Sequence, residues 1–372
     1  MGYSIKEKFV TKLQKIPFSI PFLITVICIY GFVILYSAAG GQIEPWAYRQ
    51  IIIFSIFMPL AFIISMVDTR FIYKFSYFLY FFVLLLLIAV AIIGKTAMGA
   101  TRWIDLGIFH IQPSEPTKIA IVLMLARYFH SSKEQNISSI YNLILPIIGV
   151  LIPAFLIIKQ PDLGTGIITI IVATIIFFAA GVKKLYFVII GMGSLILLPI
   201  IWTLLHNYQK NRVLIFLNPD REPLGAGYNI IQSKIAIGSG GFWGKGLLNG
   251  TQSHLSFLPE YTTDFIFSFL TEELGFVGGL VLVILYFMLI LSSLAIAINT
   301  KSIFTKLMVI GLTSIFFSHV FINIGMVMGM MPVVGVPLPF ISYGGTMMVS
   351  MLISFGLIMN ASLHQHSNLH TN

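Results

Sequence analysis

Residues 218–275 read NPDREPLGAGYNIIQSKIAIGSGGFWGKGLLNGTQSHLSFLPEYTTDFIFSFLTEELG, and the fold turns on where this stretch is placed. Glycines, amides, hydroxyls and charges crowd together here, whereas most of the chain around it is hydrocarbon-soluble. Near its end, Thr262-Thr263-Asp264 heads a long apolar run. A hydroxyl residue, then an acid, then a helix-length apolar segment reads as an N-cap with the acid in the first turn. In that reading Asp264 merely complements the helix dipole, an effect of about 0.3–1 kcal/mol. Against it stands the company Asp264 keeps, since Ser268, Thr271, Glu272 and Glu273 follow within the next turns. An acid at the centre of a membrane helix costs about 2.5–3.5 kcal/mol on insertion scales, so such a stripe is expected to line a cavity rather than face lipid.

Outward from this stretch, composition decides the setting. The chain has 372 residues, 58% hydrophobic and only 9% charged, too few charges to clothe a soluble globule. It belongs in a membrane. The net charge of +9 is read as basic loops of a multi-pass protein, and nucleic acid is discarded as a partner. The single cysteine, Cys28, rules out an internal disulfide. Lys6, Lys8, Lys12 and Lys15 precede an apolar segment long enough to span, read as a retained first helix.

Ten stretches come close to the roughly 20 apolar residues that cross a bilayer. They lie near 18–38, 48–67, 74–94, 114–131, 141–159, 163–181, 184–205, 264–296, 304–327 and 340–361. The expected fold is therefore an all-α polytopic membrane protein of about ten transmembrane helices, a single integral domain over 1–372. A large extracytoplasmic loop, 206–263, would join the seventh and eighth helices, and 362–372 would form a tail. With the N-terminus inside, the inner connections carry Arg70 and Lys74, Arg127 and Lys133, Lys183 and Lys184, and Lys301 and Lys306. That agrees with the positive-inside rule and puts both termini in the cytoplasm. The polar clusters at 95–113, 159–164, 206–263 and 328–345 then all fall on the outer face.

Several residues could carry chemistry. Glu115 and Lys118, three apart after Pro113, either neutralise each other as a buried pair or present Lys118, with Arg102, to an anion. Asp162, in Gln-Pro-Asp-Leu-Gly, is either part of a tight turn or part of a site. In the long loop, Ile230, Ile231, Ile235 and Ile237 around Gln232, Ser233 and Lys234 indicate a short amphipathic helix at the membrane surface. Gly-Lys-Gly at 244–246 lacks the Ser or Thr a P-loop requires, so nucleotide binding is unsupported. The histidines are scattered. The only cofactor the carboxylates suggest is a hard divalent cation such as Mg²⁺, and none is certain.

Taken together, Gly-Ala-Thr-Arg-Trp-Ile…Gln-Pro-Ser-Glu (99–115), Gln-Pro-Asp-Leu-Gly-Thr (160–165), Asn-Pro-Asp-Arg-Glu-Pro-Leu-Gly-Ala-Gly-Tyr (218–228), Gly-Thr-Gln-Ser (250–253), Thr-Asp-Phe-Ile-Phe (263–267) and Pro-Phe-Ile-Ser-Tyr-Gly-Gly (339–345) resemble the SEDS family of shape, elongation, division and sporulation proteins. The likeness covers almost the whole chain in order, and its flavour is that of the elongation branch. Thr262 stands where a His commonly precedes Thr-Asp in that family, while the acid is kept.

The resemblance implies a peptidoglycan glycosyltransferase in the bacterial cytoplasmic membrane. It would polymerise lipid II on the outer face, beside a class B penicillin-binding transpeptidase and the elongation machinery. The family's essential acid carries over to Asp264 and a second acidic position to Asp162. The donor sugar is α-linked to undecaprenyl pyrophosphate and the product is β-linked, so the transfer inverts. Such a transfer needs a base for the acceptor 4-hydroxyl, assigned to Asp264, and cations for the leaving pyrophosphate, assigned to Arg102, Lys118 and Arg212. Trp103, Glu115, Asp162, Gln232, Ser233, Lys234 and Ser342 complete the expected substrate contacts. The rival readings are a flippase for a lipid-linked precursor and a non-catalytic scaffold. A flippase would need a pathway to both faces, yet the charges near the spans gather at their outer ends.

Overall fold

The computed structural model describes residues 17–97, 100–105, 110–132, 137–222, 225–251 and 259–365. The lysines of the N-terminal tail, Gly99, Lys133, Gln252, Ser253 and the last part of the C-terminal tail lie outside these residues.

All ten predicted stretches are helical. In chain order the helices are α1 (Ser19–Ala38), α2 (Trp46–Met66), α3 (Thr69–Ile93), α4 (Ser114–Ser131), α5 (Ile140–Lys159), α6 (Leu163–Ala179), α7 (Lys184–Leu204), α8 (Asn207–Leu217), α9 (Ala226–Gly240), α10 (Ile266–Asn299), α11 (Ile303–Val327) and α12 (Gly345–Leu363). Seven are long and apolar enough to cross a membrane: α1, α2, α3, α5, α10, α11 and α12. The apolar parts of α6 and α7 are shorter. The fourth stretch, α4, is polar at its head and owes its place to burial, with Lys118, Val122, Leu125 and Phe129 all enclosed. At the centre stands α11, packed against α4, α6, α10 and α12. By contrast, Phe71, Phe78, Leu85 and Ile92 of α3 are exposed, as befits a lipid-facing helix.

The two ends of the bundle differ. One has short connections, tied by Asn360, whose amide donates to the Ser65 and Val67 carbonyls, and by Lys301 N–H, which donates to the Gln365 carbonyl. The other is rich in irregular chain, and here expectation is corrected in four places. The 95–113 connection carries a three-stranded antiparallel ribbon, β1 (Lys95–Ala97), β2 (Ala100–Asp105) and β3 (His110–Ile111). Much of the 206–263 loop is helical, comprising α8, a 3₁₀ turn at Pro219–Arg221, and α9. The last helix starts at Gly345 rather than 340.

The fourth correction matters most. The 264–296 span is not one helix. At Gly275 the backbone takes φ 67° and ψ −167°, which ends one helical segment and starts another. A Cβ on Gly279 would stand 3.4 Å from Phe267 Cζ, although twelve residues of straight helix would separate them by about 18 Å. Segment 266–274 therefore doubles back against the head of segment 276–299, whose 24 residues span about 36 Å unaided.

A second feature sits beside it. A Cβ on Gly31 would be 2.6 Å from the Phe340 carbonyl oxygen, and Tyr286 Oη donates to the Pro339 carbonyl at 2.7 Å. Gly31 lies seven residues below the end of α1, about 10 Å down the helix, so the chain between α11 and α12 dips into the bundle. Such non-helical backbone survives in a membrane only when enclosed by protein or lining a cavity.

Candidate active site

The dipping loop and the doubled-back segment meet at Asp264. Helix α10 begins at Ile266 with Phe265 at the N-cap position, so Thr263 is not the N-cap and Asp264 lies ahead of the helix rather than in its first turn, contrary to the sequence reading. Its main chain is held instead. Thr263 and Phe265 N–H both donate to the Glu260 carbonyl at 3.1 Å, closing a turn. Asn323 Nδ2, from α11, donates to the Asp264 carbonyl at 2.8 Å and to the Val336 carbonyl at 2.6 Å. Ser342 Oγ donates to the Thr263 carbonyl at 2.5 Å and accepts from Leu338 N–H at 2.7 Å. Tyr343 N–H donates to the Thr262 carbonyl at 2.9 Å. The Asp264 side chain is half-buried, and its Oδ2 lies 3.3 Å from where a Cβ on Gly335 would stand. Gly335, at φ 70°, supplies both the left-handed backbone and the bare wall that the carboxylate rests against.

The 332–338 loop joins the other predicted clusters to this acid. On its far flank, Gly164 would drive a Cβ to 2.7 Å from Val336 Cγ2 and 2.8 Å from the Val334 carbonyl oxygen. Asp162, two residues before Gly164, is buried; it accepts from Thr165 N–H at 3.3 Å, Gln112 Nε2 at 3.0 Å and Ser114 Oγ at 3.5 Å. It caps α6 and ties that helix to the head of α4.

Lys118 is also enclosed. Its ammonium donates to Glu115 Oε1 at 2.9 Å and lies 2.6 Å from His319 Nε2, with all three residues buried. An ammonium at that distance makes Nε2 the acceptor and leaves the ring hydrogen on Nδ1. The Pro337 carbonyl stands beside the ring, so this triad backs directly onto the dipping loop. Lys118 thus takes the buried-pair arrangement, directed at protein groups rather than toward an incoming anion. Lys118→Met would strand the Glu115 carboxylate in the core and is expected to cost about 3–5 kcal/mol. Glu115→Gln/Lys118→Met should recover part of that loss, as read from thermal unfolding in detergent.

The remaining candidates divide. Ser233, in α9, is buried; its hydroxyl meets Ser268 Oγ at 2.7 Å and donates to the Val327 carbonyl at 2.6 Å, which binds α9 to α10 and α11. Gln232 is half-buried, and Lys234 is exposed, lying over Gly329. Arg212 sits half-buried on α8, which packs against α9, and Trp103 is half-buried on β2. The side chain of Arg102, also on β2, lies outside the described residues. Nor does the polar stripe after Asp264 share its recess. Glu272 and Glu273 are buried at the opposite end of segment 266–274, about 10 Å of helix away from its head.

Sequence reasoning missed three residues. Arg49, at the exposed head of α2, brings Nη1 to 3.4 Å from Tyr343 Oη, next to the strand of chain that holds Thr262. Asn323 and His319 sit one turn apart on α11, inside a run that reads as ordinary apolar helix. No local signal marks them, since their partners are far away in the chain. Among the described residues no three of His, Cys, Asp and Glu gather as metal ligands.

Comparison with known proteins places this geometry. A family model described as cell cycle protein, covering FtsW, RodA and SpoVE, matches residues 18–367. The chain is 41% identical over 368 residues to the peptidoglycan glycosyltransferase MrdB of Escherichia coli K12, covering 98% of this chain and 97% of that one. Stage V sporulation protein E of Bacillus subtilis is 38% identical over 289 residues, 76% of each chain. Among solved structures, a chain from a peptidoglycan synthase complex that coordinates polymerization and crosslinking superposes with TM-score 0.83 at 31% identity, covering 95% of this chain and 99% of that one. The rod shape determining protein RodA of Thermus thermophilus superposes with TM-score 0.72 at 27% identity, covering 95% and 98%.

Proposed function

The chain belongs to the FtsW/RodA/SpoVE family and is a peptidoglycan glycosyltransferase, and from that premise we propose that it polymerises lipid II with Asp264 as the general base. One observation carries the assignment. Asp264 lies just ahead of α10, its main chain is fixed by Asn323, Ser342 and Tyr343, and its half-buried carboxylate stands beside the backbone of Gly335. That is how a carboxylate is held ready to take a proton, a contribution of about 10²–10⁴-fold in rate.

In this reading the acceptor 4-hydroxyl gives its proton to Asp264 as its oxygen forms the new bond to C1 of the donor. The C1–O bond to the pyrophosphate breaks on the opposite face, inverting the centre. The departing negative charge falls to arginines at the loop-rich end, Arg102 and Arg212, with Arg49 joining them from α2. Lys118 moves from phosphate contact to positioning, acting through His319 and the loop that seats Asp264. The loop-rich end faces outward, because Arg70, Lys74, Arg127, Lys183, Lys184, Lys301 and Lys306 all gather at the plain end. The partner is a class B transpeptidase, which uses the glycan strand as it is made; the likeness to a chain of a synthase complex supports this.

Labelled lipid II offered to the purified protein, with and without such a transpeptidase, tests the proposal. Long glycan strands are expected. Movement of lipid II between leaflets without polymer would favour a flippase, and neither outcome would favour a scaffold.

A further inference from the structure

The doubled-back segment needs a reason to stay doubled back, and the structure supplies one at the end remote from Asp264. The break at Gly275 releases main-chain groups that a continuous helix would have paired. The strap 241–251, which follows α9, takes them up. Lys245 and Gly246 N–H donate to the Glu272 and Glu273 carbonyls at 3.1 and 2.9 Å, while Phe276 and Val277 N–H donate to the Gly241 and Phe242 carbonyls at 2.9 and 3.2 Å. Side chains then close over the joint. Glu272 Oε1 accepts from Lys245 Nζ at 2.7 Å, Thr251 N–H at 2.8 Å and Thr251 Oγ1 at 3.2 Å. Glu273 Oε1 accepts from Ser37 Oγ at 2.7 Å and Leu248 N–H at 3.0 Å. Both carboxylates are fully buried, whereas the Lys245 side chain is 25% exposed.

We propose that Glu272 and Lys245, seconded by Glu273, are positioning residues: an ionic latch at the rim that fixes segment 266–274 and, through it, the place of Asp264. A buried carboxylate with three charge-assisted bonds to one short strap is geometrically specific, and releasing it leaves an uncompensated charge. The lever is short. Segment 266–274 is nine residues, about 13 Å of helix, so a small tilt at Glu272 becomes a displacement of ångström size at its other end. A 1 Å misplacement of a reacting group costs on the order of 100-fold in rate. No step of the transfer assigns a proton or a phosphate to these residues, which separates them from the base itself. The inference rests on the reading of Asp264 as base.

Its test uses two measurements on the purified full-length protein, lipid II polymerisation and amide hydrogen exchange over 266–274. Lys245→Met is expected to lower kcat by about tenfold to 100-fold with KM changed less than about twofold, because substrate contacts stay in place while the base is displaced. Lys245→Arg, which keeps the ion pair, should stay within about threefold of the parent. Exchange in 266–274 should quicken by about tenfold in Lys245→Met and not in Lys245→Arg. Glu272→Gln is expected to match Lys245→Met; if it fails to fold, the variant at the partly exposed lysine still decides the matter. A kcat within twofold of the parent in Lys245→Met would overturn the latch, and so would a lost kcat with unchanged exchange. Should the parent protein itself make no polymer, the reading of Asp264 falls, while unchanged exchange in Lys245→Met would separately overturn the latch.

Discussion

Asp264→Asn is expected to abolish polymer formation while leaving a folded, membrane-inserted protein. The amide matches the carboxylate in shape but cannot take up the acceptor proton, so the loss should reach at least about 100-fold and run to about 10⁴-fold. The fold should persist because the clamps around this position grip main chain. Asn323 bonds the Asp264 carbonyl, Ser342 bonds the Thr263 carbonyl and Tyr343 bonds the Thr262 carbonyl, and none of these requires the carboxylate. Glycan strands on a gel, beside the unfolding midpoint of the same preparation, give the answer. Activity within tenfold of the parent would remove Asp264 as base; a collapsed midpoint would show that its side chain holds the turn together.

Gly275→Ala should be the most damaging small substitution near the site. The backbone there occupies a region open essentially to glycine, and forcing another residue into it costs about 1–3 kcal/mol. The added Cβ would also stand 2.3 Å from Gly244 N and 2.6 Å from the Phe242 carbonyl oxygen, both unyielding main chain. Either the strap or the doubled-back segment must move, and the four main-chain bonds between them go with it. A marked drop in unfolding midpoint together with loss of polymerisation is expected. Gly181→Ala makes the matched control. Gly181 has φ 92° with nothing within 4 Å of the added carbon, so it carries the backbone strain without the collision. Polymerisation should survive there, with stability falling by about 1 kcal/mol. If both variants behave alike, the collision at Gly275 is not what matters.

Much of the site was legible as a set of residues. Asp264 stood out as an acid heading an apolar run, Asp162 as an acid in a Gly/Pro turn, and Glu115 and Lys118 as a pair at helical spacing. Their roles were harder to read. The expected N-cap at Thr263 failed because the chain makes a turn closed on Glu260 before α10 begins. The polar stripe after Asp264 looked continuous, since nothing in Thr-Glu-Glu-Leu-Gly distinguishes a glycine inside a helix from one that ends it. The glycines of the strap were visible as a cluster, but not the reason for them. A Cβ on Gly240 or Gly244 would come within about 2 Å of the Thr271 or Glu273 carbonyl oxygen, a partner the local sequence does not name.

The membrane setting, the ten helical stretches and the end of the bundle where polar chain collects were readable from composition and spacing, because bilayer thickness sets the length of a span and basic residues collect in the inner connections. That α10 doubles back at Gly275, that the 332–338 loop dips in to meet Asp264, and that His319 and Asn323 stand behind it emerges from long-range packing alone. A helix apolar all round carries no periodic mark of which face meets a neighbour. In lipid that choice falls to the pairing of polar groups, and here the partners lie as far apart as Lys118 and His319, 201 residues along the chain.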